Sequence, residues 1–253
     1  MLYIVGSPIG NLSDISLRAL EVLRQVNRIA AEDTRRTRIL LNHYEIEKPL
    51  LSYHEFNEAK RTAEIIEYLE QGESIALVSD AGMPSISDPG YRLINRCQEN
   101  KIPFTVIPGP SAVTTGLVGC GLPTDKFYFG GFLPIKSGRR ERELRAALQR
   151  ECTSIYFESP YRLLKTLDAL VALDPACRIC VARELTKHFE EFRRGPVSEV
   201  REHYAAHAPR GEITLVIAGS ERERAGASES APGTVDKVKT PNGRRQFDPT
   251  WVS

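Results

Sequence analysis

The sequence predicts an α/β protein of two αβ domains with a ligand cleft between them. Three observations carry that expectation. Apolar runs alternate with amphipathic ones through residues 1–219, the pattern of strands and helices in turn. The turn-rich stretch Gly119-Cys120-Gly121-Leu122-Pro123-Thr124-Asp125 breaks that pattern near the middle. Two loops, Val5-Gly6-Ser7-Pro8-Ile9-Gly10-Asn11 and the segment from Val78 to Gly90, each follow an apolar run and precede a helical one. They therefore sit at the strand ends where open α/β sheets bind ligands.

In the first half, strands are predicted near 2–5, 28–32, 49–53, 74–79 and 103–107. Helices are predicted near 16–25, 34–42, 56–70, 87–99 and 110–118. Such alternation gives a mostly parallel sheet with helices on both faces. Residues 1–120 form the expected N-terminal domain. The second domain, 126–219, has strands near 127–132, 154–157, 177–183 and 212–218. Its helices fall near 138–150, 159–172 and 196–206. Residues 220–253 are rich in Gly, Pro, Ser, Thr and charge without apolar periodicity, which predicts a disordered tail.

Composition narrows the function. A net charge of +1 on 253 residues gives no global attraction for nucleic acid, so any such role rests on local basic patches. No apolar run approaches the roughly 20 residues that span a bilayer, so no membrane partner is expected. Met1 leads straight into a strand-like run without a signal-peptide pattern, and a cytoplasmic location is expected. Five irregularly spaced cysteines argue against a disulfide framework. Cys177 and Cys180 have C-x-x-C spacing inside a strand-like run, where burial is the better reading than a metal. His203 and His207 lack an acidic third ligand at a recognised spacing, and no metal site is expected.

The loops hold the candidate chemistry. The first is not G-x-G-x-x-G, and Pro8 removes an N–H donor, so it suits a ligand less anionic than a dinucleotide. Asp80 ends an apolar run, where a carboxylate can bond a ribose hydroxyl or an amino group, or simply cap a turn. Pro108-Gly109-Pro110 forces a third rigid turn, and Ser111 either caps the next helix or faces a ligand. Glu32 and Asp33 precede Arg35, Arg36 and Arg38, which reads as a phosphate-binding patch or as a capped, solvated helix start. Ser52-Tyr53-His54-Glu55-Phe56-Asn57-Glu58 has residue types suited to base stacking and proton handling, or to capping with one core Phe.

Taken in order, these strings resemble one family. VGSPIGNLSDI (5–15), AEDTRRT (31–37), SYHEFNE (52–58), LVSDAGMPSISDPG (77–90) and VIPGPSA (106–112) are joined by GGFLP (130–134), ESPYRL (158–163), ARELTKHFEE (182–191) and GEITLVIAG (211–219). The chain is thereby similar to the branch of the tetrapyrrole (class III) methylase superfamily that methylates small-subunit ribosomal RNA. The resemblance implies a tetrapyrrole methylase-like fold with a cofactor cleft between its domains. It implies transfer of a methyl group from S-adenosylmethionine to the ribose 2′-oxygen of a cytidine in the decoding region of 16S ribosomal RNA. It also implies a homodimer. Matched motif by motif, the cofactor-binding residues are Pro8, Ile9, Asp80, Met83, Ser111, Ala112, Phe157, Glu158, Leu185 and Thr214. The chain departs from the resemblance after residue 219, where family members usually continue into a helical extension.

A ribose hydroxyl is a poor nucleophile near neutral pH, so a base is expected beside it. Glu32, Asp33 and His54 are the first candidates, ahead of Glu55 and Glu158, and Arg35, Arg36 and Arg38 are the first for RNA phosphates. A tetrapyrrole carbon methylase would share the cofactor loops but not the 31–37 and 52–58 strings. A non-catalytic ribosome-assembly factor would not need the cofactor loops intact.

Overall fold

The structure, a computed structural model, describes residues 1–220, so the tail predicted beyond Ser220 lies outside the described residues. Strands β1 (Leu2–Val5), β2 (Arg28–Ala31), β3 (Leu50–Ser52), β4 (Ile75–Val78) and β5 (Phe104–Ile107) form one sheet in the order β3-β2-β4-β1-β5. Every pair in it is parallel. A sheet covered on both faces needs apolar residues at successive positions, and these strands have them. Leu2, Ile4, Ala30, Ile75 and Leu77 face one core, while Val5, Ile29, Ala31, Ala76 and Val78 face the other. Helices α1 (Leu17–Gln25) and α2 (Thr34–His43) fill the second of these cores through Leu23, Leu40 and Leu41. Helices α3 (Glu58–Glu70) and α4 (Tyr91–Glu99) fill the first through Ile65, Leu69, Leu93 and Cys97.

The second sheet has the order β6-β7-β10-β8-β9, from β6 (Phe127–Phe132), β7 (Thr153–Glu158), β8 (Arg178–Arg183), β9 (Glu191–Pro196) and β10 (Ile213–Ile217). It is mixed: β6 runs parallel to β7, whereas β10 is antiparallel to both β7 and β8. Helices α6 (Ser137–Gln149), α7 (Pro160–Leu173) and α8 (Val197–Ala206) pack on one face through Leu144, Leu163, Leu167, Leu170, Val200 and Tyr204. The other face receives α5 (Ala112–Cys120), whose Val113, Leu117 and Cys120 meet Ile155, Cys180 and Val216. Although α5 precedes the 119–125 turn, it belongs by packing to the second sheet. Gly116 lets it approach closely, since a Cβ there would lie 2.9 Å from Thr214 Cγ2.

Some local expectations shift. The helix predicted over 87–99 begins at Tyr91, because Pro89 and Gly90 (φ 145°) hold the preceding chain out of helical geometry. Strand β9 occupies a stretch where no element is predicted. Its Arg193 and Arg194 disguise a polar edge strand paired with β8. Cys177 and Cys180 join separate apolar clusters on opposite faces of the second sheet, and burial pushes the Cys180 thiol up to about 12. The His203 and His207 rings stack 4.8 Å apart. Among the described residues, no helix is long and apolar enough to cross a membrane.

Candidate active site: two adjoining recesses

Three rigid loops leave the C-terminal ends of β1, β4 and β5 and are tied to one another by backbone. Ser7 and Gly82 exchange N–H···O bonds of 2.9 and 3.1 Å, and the Ser7 hydroxyl donates to the Ser79 carbonyl at 3.0 Å. The Gly6 N–H donates to the Ile107 carbonyl at 3.1 Å. Gly6 and Gly109 meet face to face: a Cβ on Gly6 would sit 2.7 Å from Gly109 Cα. Only glycine permits that approach.

Beneath these loops lies a cavity of about 390 Å³ between the two sheets. Its walls include Ile9, Met83, Ala112, Phe157, Leu185 and Thr214, with Asp80, Asp88, Glu32 and Ser111 as polar groups. Ser111 is the N-cap residue of α5, yet its side chain makes no capping bond. Among the described residues, four of the six non-glycine residues with positive φ are cavity-lining residues or their immediate chain neighbours, namely Ser85, Ser87, Glu184 and Thr186. Strained backbone of this kind costs about 1–3 kcal/mol per residue and concentrates at functional sites.

A second, more polar recess of about 510 Å³ lies alongside, lined by Glu32, Asp33, Thr34, Arg35, Ser52, His54, Glu55, Phe56, Ser87 and Pro89. Glu32 and Ser87 line both recesses, so they form the shared wall.

Carboxylates gather at that wall. The Asp33 N–H donates to Asp80 Oδ1 at 2.9 Å, and the Asp80 N–H donates to Glu32 Oε2 at 3.3 Å. Arg36 lies 3.5 Å from the other Asp80 oxygen. Burial, reinforced by the Asp80 charge, raises the Glu32 carboxyl above its ordinary range. Burial and the neighbouring Glu32 charge push Asp88 up to about 7, against a hydrogen bond from Ser79 that lowers it. A carboxyl poised near neutrality can take up a proton at physiological pH.

The remaining candidates separate by position. Asp33 caps α2 through the Arg35 N–H (2.9 Å) and pairs with the Arg35 guanidinium at 2.7 Å, which holds its carboxyl far below the usual range. The helix-cap alternative therefore describes Asp33, whose carboxylate is poorly suited to act as a base. Glu158 is also engaged internally. Its fully buried side chain pairs with Arg162 at 2.6 Å and accepts from the Thr166 hydroxyl at 2.6 Å and the Ser159 N–H at 2.7 Å. It shapes the cavity wall without presenting a free carboxylate. Pro8 and Arg38 line neither recess, whereas Arg35 faces the second and Arg36 the first. His54 belongs to the second recess, with Nε2 3.1 Å from the Asn57 amide.

Sequence reasoning missed Asp88. In Ser87-Asp88-Pro89-Gly90 it looks like a turn former, and its nearness to Glu32 arises only because β2 and β4 are neighbours.

Comparison with known proteins fits this geometry. The family described as Tetrapyrrole (Corrin/Porphyrin) Methylases matches residues 1–201. The chain is 50% identical over 221 residues to "Ribosomal RNA small subunit methyltransferase I" of Thermotoga maritima, covering 87% of this chain and 99% of that protein. It is 44% identical over 229 residues to the protein of that name from Bacillus subtilis, covering 90% and 78%. Among solved structures, a diphthine synthase superposes with a TM-score of 0.69 at 14% identity, covering 86% of this chain and 89% of that one. A uroporphyrin-III-C-methyltransferase from Thermus thermophilus does so at 0.62 and 20%, covering 86% and 93%. At such identities these two likenesses speak to the fold alone. With half of its residues shared over nearly the whole of one relative, and the signature loops assembled around one cavity, the chain belongs to the ribosomal RNA small subunit methyltransferase I family of tetrapyrrole-type methylases.

Proposed function

We propose that this chain uses S-adenosylmethionine to methylate the ribose 2′-oxygen of a cytidine in the decoding region of 16S ribosomal RNA within the small subunit. The observation that carries the reading is the shared wall. A largely apolar cavity and a polar groove adjoin at Glu32 and Ser87, as a donor site and an acceptor site must.

The cavity fits the cofactor. Its volume lies in the roughly 300–1,000 Å³ range of small-molecule sites. Ile9, Met83, Ala112, Phe157 and Leu185 offer apolar surface for a base. Asp80 and Ser111 offer polar partners for ribose or amino groups, and the carboxylates favour a cation. When bound, S-adenosylmethionine supplies an electrophilic methyl group on a sulfonium.

The chain's own residues do the rest. The laced loops hold the donor site rigid, which favours alignment of the reacting atoms. Asp88, assisted by Glu32, accepts the proton released from the ribose hydroxyl. Asp80 holds the start of α2 against the cavity through the Asp33 N–H and Arg36. Arg35, with its side chain 89% exposed, faces the groove as a phosphate partner. His54 serves the substrate side. On the family resemblance, we place the protein in the cytoplasm as a homodimer of two αβ domains, 1–120 and 126–219, the first of which lends helix α5 to the sheet of the second.

The test is incubation with labelled S-adenosylmethionine and small ribosomal subunits from a strain lacking this modification. Label recovered in 2′-O-methylcytidine is the expected result. Label in a base, or on a tetrapyrrole instead of RNA, contradicts it. Cofactor binding without transfer turns the reading to an assembly factor.

A further inference from the structure

The turn between β3 and α3 presents an aromatic ring that the fold leaves uncovered. Tyr53 anchors one side of it, buried to 1% exposure, with its hydroxyl donating to Glu58 at 3.1 Å and lying 3.1 Å from the Thr62 hydroxyl. Asn57 anchors the other. Its Oδ1 accepts from the His54 N–H at 2.9 Å, its Nδ2 donates to the Ser52 carbonyl at 3.2 Å, and its own N–H donates to the His54 carbonyl at 3.0 Å. Between these anchors Phe56 stands 88% exposed in the wall of the polar groove. The His54 ring lies edge-on at 6.0 Å, and His54 Nδ1 is buried without a hydrogen-bond partner.

A phenylalanine held out in water by a rigid turn forgoes the burial that ordinarily stabilises it. The same rigidity means that a partner meets a ring already in place. The surroundings select the partner. Ser52, His54, Glu55 and Arg35 make the groove too polar for an apolar protein surface. A flat base with polar edges matches both the ring and its rim.

We propose that Phe56 is a stacking platform for a nucleobase of the RNA substrate, held beside the Glu32–Ser87 wall. The inference rests on the reading of this groove as the acceptor site. Phe56 is a positioning residue: it touches the substrate and moves no proton.

The experiment compares Phe56→Ala, Phe56→Leu and Phe56→Trp with the parent protein, using small subunits that lack the methylation. Transfer is followed with labelled S-adenosylmethionine, and binding by co-sedimentation without cofactor. Loss of one stacked base weakens subunit binding and raises KM by roughly 5- to 150-fold in the Ala and Leu variants. Trp restores both. Melting temperature and affinity for S-adenosylhomocysteine stay at the parent's values in all three. An Ala variant that binds subunits as tightly as the parent overturns the stacking role, as does rescue by Leu equal to rescue by Trp. A parent that binds subunits in a Phe56-dependent way but transfers nothing overturns the methylation reading alone. A parent that neither binds nor transfers overturns both.

Discussion

Replacing Gly6 by alanine tests whether the three loops act as one rigid unit. The new Cβ would lie 2.7 Å from Gly109 Cα and 2.8 Å from Gly109 N. Carbon atoms pack best at about 3.5–4.0 Å, so the loops must part by roughly 0.8–1.3 Å. The obstacle is backbone, which cannot rotate aside. Overpacking of this kind costs about 1–3 kcal/mol. For a protein of this size that lowers the melting temperature by roughly 2–12 °C. The same parting displaces the loops that line the cofactor cavity, so affinity for S-adenosylhomocysteine should fall as well. Thermal unfolding followed by fluorescence, and calorimetric titration with S-adenosylhomocysteine, read the two effects separately. Gly109→Ala meets Gly6 Cα at 2.8 Å and should behave alike. The double variant should cost less than the sum, because either methyl already parts the loops. Unchanged melting and unchanged affinity in Gly6→Ala would refute the reasoning.

Four further outcomes follow from the same geometry. Glu158→Gln removes the charge that Arg162, Thr166 and Ser159 surround, and should lower stability by about 3 kcal/mol, read by denaturant titration; a change below about 1 kcal/mol would contradict the buried pair. Asp88 is raised from 3.8 to about 7, so the folded state holds a proton that the unfolded chain releases in that window. Its contribution to stability is full below the unfolded value and is lost as pH rises through 7. The melting temperature of Asp88→Asn relative to the parent should therefore climb from about pH 5 to about pH 8, and a constant difference would count against the shift. Arg35→Ala should lower the salt dependence of RNA binding by about one unit without changing cofactor affinity. Arg36→Ala should weaken cofactor binding, because Arg36 lines the cavity and faces Asp80. If only Arg36→Ala affected RNA binding, the two roles would be reversed.

What the sequence reveals and what it hides divide along physical lines. Strand β4 is legible because four apolar residues run straight into Ser79-Asp80, and Asp80 then stands at the cavity. Ile9, Met83 and Leu185 come to the same cavity from distant positions, through strings whose order marks the family. The ion pairs are not legible. Asp33 and Asp80 look alike as acidic residues after strands, and only the structure gives Asp33 to its own helix and Asp80 to the cavity. Glu158 is the last residue of strand β7, at a strand end as Asp80 is, but Arg162 one helical turn later takes its charge. Strand β9 is hidden because its polarity reflects an edge position, which depends on the whole sheet. Asp88 is hidden because its elevated affinity for protons comes first from burial, which the fold creates, and then from Glu32, 56 positions away in the chain.

The central claim is that the cavity under the three loops holds the cofactor and the groove beside Phe56 receives the RNA. A crystal structure of the protein with S-adenosylhomocysteine tests it most directly. The account predicts density against Ile9, Met83, Ala112 and Leu185, with the sulfur turned toward Glu32 and Ser87. Density in the groove of Ser52, His54 and Phe56, with the cavity left empty, would contradict it.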